Sequence, residues 1–270
     1  MSYLIFIVAA GLFALLGAGG PLHRDNWFDA LSRRVDAVEL DLWPSLFLRV
    51  AAPLIGAGIV LLLLAVFLGE LADALMGLAL LYFAWGRGDY STDLARFVAR
   101  ARVGDKEGAD MLLTDNAPLN HSGEDDARRA LRDFAYRGFS RWFPPVLYFW
   151  LLGPFAAAAY RLVELANSRC DGQFDAALRL LDWLPARLLL LTFSVLGDFE
   201  RTRGALTSEA FDQSISEAEL LAQGIERAWH LDGDVPASPE SVVTAVETTQ
   251  KAITRATVAW LVVVSLLALL

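Results

Sequence analysis

Long runs without a single charge constrain this chain more than any other feature. Residues 2–22 carry no Asp, Glu, Lys or Arg over 21 positions, 50–69 none over 20, 142–160 none over 19 and 256–270 none over 15. A helix needs about 20 mostly apolar residues to cross the roughly 30 Å hydrocarbon core of a bilayer. In lipid the backbone must satisfy its own polar groups, so each run is expected to be helical. Two weaker runs follow the same logic. Residues 74–86 are uncharged over 13 positions and reach spanning length with Leu71 and Asp73 at the interface, whereas 188–197 covers only ten, the length of a half-span or re-entrant piece. The expected fold class is all-α, a polytopic helical integral membrane protein with cytoplasmic helical segments, and its first partner is the lipid bilayer.

Composition narrows the function classes. Of 270 residues, 56% are apolar and 20% charged, with a net charge of −9. The apolar share excludes a disordered chain. The acidic balance speaks against a nucleic-acid partner, which needs a basic face. The single cysteine, Cys170, cannot pair within the chain, which excludes a disulfide scaffold. Met1-Ser2-Tyr3 has no Lys or Arg, unlike the start of a cleaved signal peptide, so the first run reads as a retained helix.

Basic residues near the span ends set orientation. Four lie within 24–49 and ten within 87–141, so both stretches are expected in the cytoplasm. The turn Glu70-Leu71-Ala72-Asp73 holds acids only and suits the outer face, which puts the N-terminus outside. The stretch 198–255 has five basic and eleven acidic residues and leaves its own side open. Six crossings result if 188–197 crosses; otherwise 142–160 is re-entrant and the count is four. The organisation expected is three membrane helices in 1–86, a cytoplasmic helical loop in 87–141, a membrane core in 142–197, a soluble helical region in 198–254 and a last span in 255–270.

Between the spans, Leu94, Phe97, Val98 and Ala101 recur at helical spacing. Gly104 to Gly108 reads as a turn, residues 109–113 as the start of a short helix, and Asp115-Asn116-Ala117-Pro118 as a loop. Ala127, Leu131, Phe134 and Ala135 form one face of a helix over 124–136. Further on, Ser208 is expected to cap a helix whose apolar side holds Phe211, Ile215, Ala218, Leu221 and Ile225. Asp232-Gly233-Asp234-Val235-Pro236 breaks it. Ser238-Pro239 then starts a helix that runs into the final span.

The chemistry-bearing residues are few. His23, His121 and His230 are scattered without metal-ligand spacing, and no metal site is expected. No phosphate-binding loop or nucleophile elbow occurs, and the Gly-rich residues Gly17, Gly19 and Gly20 read as a helix end. Cys170 lies between Arg169 and Asp171; a basic neighbour can lower a thiol pKa, but a lone thiol is more often inert, and that is the expectation here. The densest cluster is Gly153-Pro154, Tyr160-Arg161, Glu164, Asp175 and Asp182-Trp183-Leu184-Pro185-Ala186-Arg187-Leu188. Charges beside apolar spans face a partner, water or a ligand. Arg161 and Glu164 are spaced to pair on one helix face, and Asp182 and Arg187 flank what reads as a Pro turn. Arginine offers a fixed fork for carboxylate or phosphate; an ion pair that fixes helix packing is the other reading.

These residues resemble a known family. Leu152-Gly153-Pro154, Tyr160-Arg161 and Leu181-Asp182-Trp183-Leu184-Pro185-Ala186-Arg187-Leu188 look like the AmpE proteins and the related CobD/CbiB membrane proteins of cobalamin biosynthesis. His23-Arg24-Asp25-Asn26-Trp27-Phe28, Gly86-Arg87-Gly88-Asp89-Tyr90 and Gly104-Asp105 resemble the AmpE pattern, and the span layout agrees. The CobD/CbiB side would imply an ATP-dependent, amide-forming synthase. Its two polar motifs are missing here: the corresponding stretches read Arg132 to Phe139 and Val163 to Ser168. The AmpE side implies a regulator of the bacterial inner membrane, multi-pass and without catalysis, associated with chromosomal β-lactamase induction and cell-wall recycling. On that resemblance Tyr160, Arg161, Asp182 and Arg187 line a polar pocket for a small anionic ligand, with nucleotide as one candidate, while a homo-oligomer or a membrane partner protein is implied for signalling. A CobD/CbiB-like synthase with an altered substrate is the alternative.

Overall fold

The structure, a computed structural model, describes residues 2–16, 25–85, 90–113, 123–231 and 239–269. Its regular elements are all helical, with no strand among the described residues. The motif residues at 17–24, 86–89, 115–118, 232–236 and 238, including His23, lie outside the described residues, as does His121. The chain forms two compact units, one of residues 1–88 and 141–182, the other of 89–140 and 183–270. The stretch 142–197, read from sequence as one membrane core, contributes to both.

The first unit contains α1 (Ser2–Leu16), α2 (Asn26–Asp36), α3 (Leu42–Leu68), α4 (Glu70–Ala84), the later part of α7 (Gly123–Leu152), α8 (Pro154–Arg169) and the start of α9 (Asp175–Leu196). Helix α4 packs on α1, α3 and α8, and α3 also packs on α2 and α8. The core of this unit joins Phe28, Leu46, Tyr160, Leu162, Leu165 and Phe174. Beside it is an aromatic cluster in which the Phe13 and Trp142 rings are 4.8 Å apart and those of Trp85 and Trp142 5.5 Å apart. Aromatic rings supply large buried area with specific edge-to-face geometry.

Three sequence expectations change here. The acids Glu70 and Asp73 do not form a turn; they occupy the first turn of α4, where the positive end of the helix dipole favours them. The turn itself is Gly69, whose φ of 56° suits glycine. The run 142–160 is not one helix: α7 ends at Leu152, Gly153 takes φ 90°, and Pro154 opens α8 with the fixed dihedral that suits a first helical position. The third concerns Pro185, which lies inside α9 rather than in a turn. A proline within a helix leaves the carbonyl four residues earlier without its backbone donor. Here that carbonyl, Leu181 O, accepts from the Tyr148 hydroxyl at 2.6 Å.

The second unit holds α5 (Tyr90–Arg102), α6 (Lys106–Asp110), the first part of α7, the later part of α9, α10 (Phe199–Thr207), α11 (Glu217–Ala228) and α12 (Pro239–Leu269). Leu94, Phe97 and Val98 are buried with Phe134, Val243 and Val246, as their helical spacing predicts. The last helix does run without interruption from Pro239 to Leu269. Ser208, by contrast, closes α10 and leads only into a short 3-10 turn without a side-chain cap; the next α-helix starts at Glu217 behind Ser216, whose side chain accepts from Glu219 N–H at 3.2 Å. Phe211 is 67% exposed on a short 3-10 turn, Glu209–Phe211, and takes no part in the apolar face expected of it.

By length and composition, one described helix, α3, is long and apolar enough to cross a membrane; α1 is a shorter apolar helix. Ile55, Ile59, Leu62, Leu63, Val66 and Phe67 of α3 are all exposed.

Candidate functional site

Tyr160 and Arg161 are consecutive on α8, a helix whose small residues Ala157 and Ala158 allow close packing. Tyr160 and Asp182 are each 1% exposed, and the Tyr160 hydroxyl donates to Asp182 Oδ1 at 2.8 Å. The Tyr148 ring stacks on that of Tyr160 with centroids 5.9 Å apart. The Tyr148 hydroxyl holds the Leu181 carbonyl next to Asp182, so the two tyrosines fix one turn of α9. A buried carboxylate is costly unless its lone pairs are met, and here a hydroxyl on the neighbouring helix meets one of them.

Arg161 is buried and donates to Glu164 Oε2 at 2.5 Å, the pairing that its three-residue spacing predicts. The carboxylate of Asp25, itself buried, is within electrostatic reach of the same guanidinium. Asp25 was not singled out from sequence as a site residue, although it stands directly after the first apolar run. It also starts α2, its carbonyl accepting from Phe28 and Asp29 N–H.

Arg187 belongs to the second unit and has its own partners. Its Nε donates to Ala210 O at 2.7 Å, and its Nη1 to Trp183 O at 3.1 Å and Glu217 Oε1 at 3.2 Å. The guanidinium lies 4.8 Å from the Trp183 ring centroid, a cation–π arrangement. Arg187 and Glu217 are respectively 11% and 7% exposed at the side chain, so this is a nearly dry ion pair. It fastens α9 to the 3-10 turn and to the start of α11. Of the four expected site residues, the structure thus brings Tyr160 and Asp182 into a direct bond and sets Arg161 beside Tyr160, while Arg187 is engaged within the other unit.

A second buried arginine, Arg49, was counted in sequence only toward membrane orientation. It pairs with Asp36 and Ser45 and lies 5.7 Å from the Phe174 ring centroid. Its signal was a charge at the edge of an apolar run. Cys170 closes α8, and burial pushes its thiol pKa up, Asp36 and Asp171 adding to this and Arg49 opposing it. That is the inert reading, not the activated one. His230 pairs with Asp198 at 3.4 Å on an exposed surface.

Comparison with protein-family models gives one that spans the chain, the regulatory signalling modulator protein AmpE, matched over residues 1–270. The chain belongs to the AmpE family. No curated protein and no solved structure matches it. The AmpE match therefore carries a regulatory, signalling character for the whole chain.

Proposed function

We propose that this AmpE-family protein is a multi-pass regulator of the bacterial inner membrane. In this reading it acts in the induction of chromosomal β-lactamase that accompanies cell-wall recycling, without catalysis of its own. The observation that carries the reading is the end-to-end match to the signalling modulator. The exposed apolar residues of α3 support the membrane placement. So do Leu191 and Val195 on α9, and Val258, Val262 and Leu266 on α12, which form faces suited to lipid.

Tyr160, Arg161 and Asp182 of the first unit serve a small anionic ligand in this proposal, a nucleotide or a wall-derived carboxylate, and Arg187 offers a separate anion contact within the second unit. Glu164 and Glu217 now hold the two arginines. An incoming anion exchanges with those carboxylates, and their release loosens the helices they fasten. Asp182, by accepting from its hydroxyl, keeps the Tyr160 ring in position beside Arg161. A ligand shifts such an equilibrium only through its different affinity for the two states.

The test is deletion of the gene in its host. Altered β-lactamase induction without a cobalamin requirement supports the regulator. Unchanged induction with a cobalamin requirement would move the chain toward a CobD/CbiB-like synthase. For the ligand, nucleotides and muropeptides are titrated into the purified protein; weaker binding by Arg161→Gln and Arg187→Ala supports the assignment, and affinities equal to wild type reject it.

A further inference from the structure

A cavity of about 250 Å³ opens where the end of α2 and the 37–41 turn meet the start of α3. At roughly 30 Å³ per liquid water it holds a group of about eight water volumes. Its polar walls are Asp36, Glu39, Ser45, Arg49 and Gln173, and Val35, Leu40 and Leu42 complete the lining. Arg49 is the unusual member. Its side chain is 2% exposed, yet Nε, also buried, has no hydrogen-bond partner. Its other bonds go to Ser45 and to Asp36, whose own side chain is 63% exposed. Leaving a buried charged donor unserved is expensive, and such a group calls for a specific explanation.

The charges on the walls select the ligand. One guanidinium faces two carboxylates, so a simple anion would meet net repulsion. A simple cation would meet the Arg49 guanidinium, and the described residues hold no cluster of three metal-ligating side chains. A group with both signs answers each demand: an oxyanion for Arg49, Ser45 and Gln173, and a primary ammonium, with its three donors, for Asp36 and Glu39. The surroundings name the source. Leu40, Leu42, Trp43 and Phe47 are exposed apolar side chains at the start of the helix that is long enough to span a bilayer. A tryptophan at such a place marks the headgroup level.

We propose that this corner binds the headgroup of a zwitterionic phospholipid, phosphatidylethanolamine, with the phosphate on Arg49 and the ammonium on Asp36 and Glu39. The acyl chains then lie along Leu42, Trp43 and Phe47. The site rests on the membrane placement proposed above and on nothing else in that reading. It makes the corner between α2 and α3 a sensor of lipid identity, coupled to α8 and α9 through Phe174 and Gln173.

The experiment is native mass spectrometry of the full chain in detergent micelles. It is titrated with short-chain phosphatidylethanolamine, phosphatidylcholine and phosphatidylglycerol, and with water-soluble phosphoethanolamine. Phosphatidylethanolamine should bind at about one-tenth the concentration of the other lipids, the effect of one charge-assisted hydrogen bond. Arg49→Gln should abolish the preference. Because Arg49 also joins α2 to α3, Glu39→Gln is the second variant: Glu39 is exposed, and its substitution should reduce the preference over phosphatidylcholine with the unfolding temperature unchanged. Equal binding of the three lipids, or a preference untouched by both variants, overturns the proposal. So does phosphoethanolamine binding as tightly as the lipid, which gives the cavity to a soluble zwitterion. Resistance of the protein to carbonate extraction from membranes tests the membrane placement separately: a chain that resists extraction but is blind to headgroups fails this proposal alone.

Discussion

Arg49 and Arg187 are arginines with mostly covered side chains next to apolar helix segments, one in each unit, and they are held in opposite ways. Arg187 has Nε and Nη1 committed to two carbonyls and a buried carboxylate, with an indole under its face. Arg49 leans on a carboxylate that is mostly in water and keeps Nε without an acceptor beside a cavity. Burial alone therefore does not make an arginine a binding group. The exposure of its carboxylate partner separates an internal fastener, buried together with its acid, from a group whose acid is open to exchange with a solute.

That contrast can be broken experimentally. Arg187→Ala should cost the most, about 3–5 kcal/mol in denaturant or thermal unfolding in detergent, because Glu217 would stay buried without its arginine. Replacing both partners, Arg187→Met with Glu217→Leu, should recover most of that loss; no recovery would mean that the carbonyl and indole contacts dominate. Arg49→Gln should cost less, about 1.5–3 kcal/mol, the range for hydrogen bonds to charged groups. If it cost as much as Arg187→Ala, the two arginines would be equivalent and the comparison would fail. Tyr148→Phe should cost about 1 kcal/mol by stripping the Leu181 carbonyl of the donor that replaces the missing one at Pro185.

The smallest effect is a pH slope confined to the second unit. Burial works to raise the Glu219 pKa, but hydrogen bonds from Gln223 and Arg128 and the charges of Arg128 and Arg132 outweigh it and hold the carboxyl below its ordinary value. A depressed folded-state pKa stabilises the native state fully above the unfolded carboxyl range, and the contribution is lost as pH falls through the folded value. Glu219→Gln should therefore flatten the acid limb of stability against pH, and raised salt should do the same in the wild type, since Arg128 is half exposed. An unchanged limb would remove Glu219 from the account.

Local signals in the sequence reached a definite depth. The spacing of Leu94, Phe97 and Val98, the Arg161–Glu164 pair and the continuity of the last helix are all dictated by neighbours within one or two turns. What escaped depends on partners far along the chain. Pro185 stays helical because Tyr148, on another helix, supplies the replacement bond, and nothing near Pro185 announces that. Asp182 is met by Tyr160, 22 positions away, and Arg49 by Asp36, 13 away across a turn. The break at Gly153-Pro154 was visible as a motif, yet the absence of charge around it suggested one continuous span. Charge counting sees solubility in lipid; it does not see a helix that breaks at Gly153.

The central claim is that the apolar runs replace water with lipid in the proposed order, and cysteine labelling tests it most directly. In a Cys170→Ser background, Leu71→Cys and Val103→Cys place single thiols at exposed positions on either side of the run 74–86. An impermeant maleimide added to intact spheroplasts should label Leu71→Cys, and should reach Val103→Cys only after the membrane is opened. Equal labelling of both before permeabilisation would contradict the account.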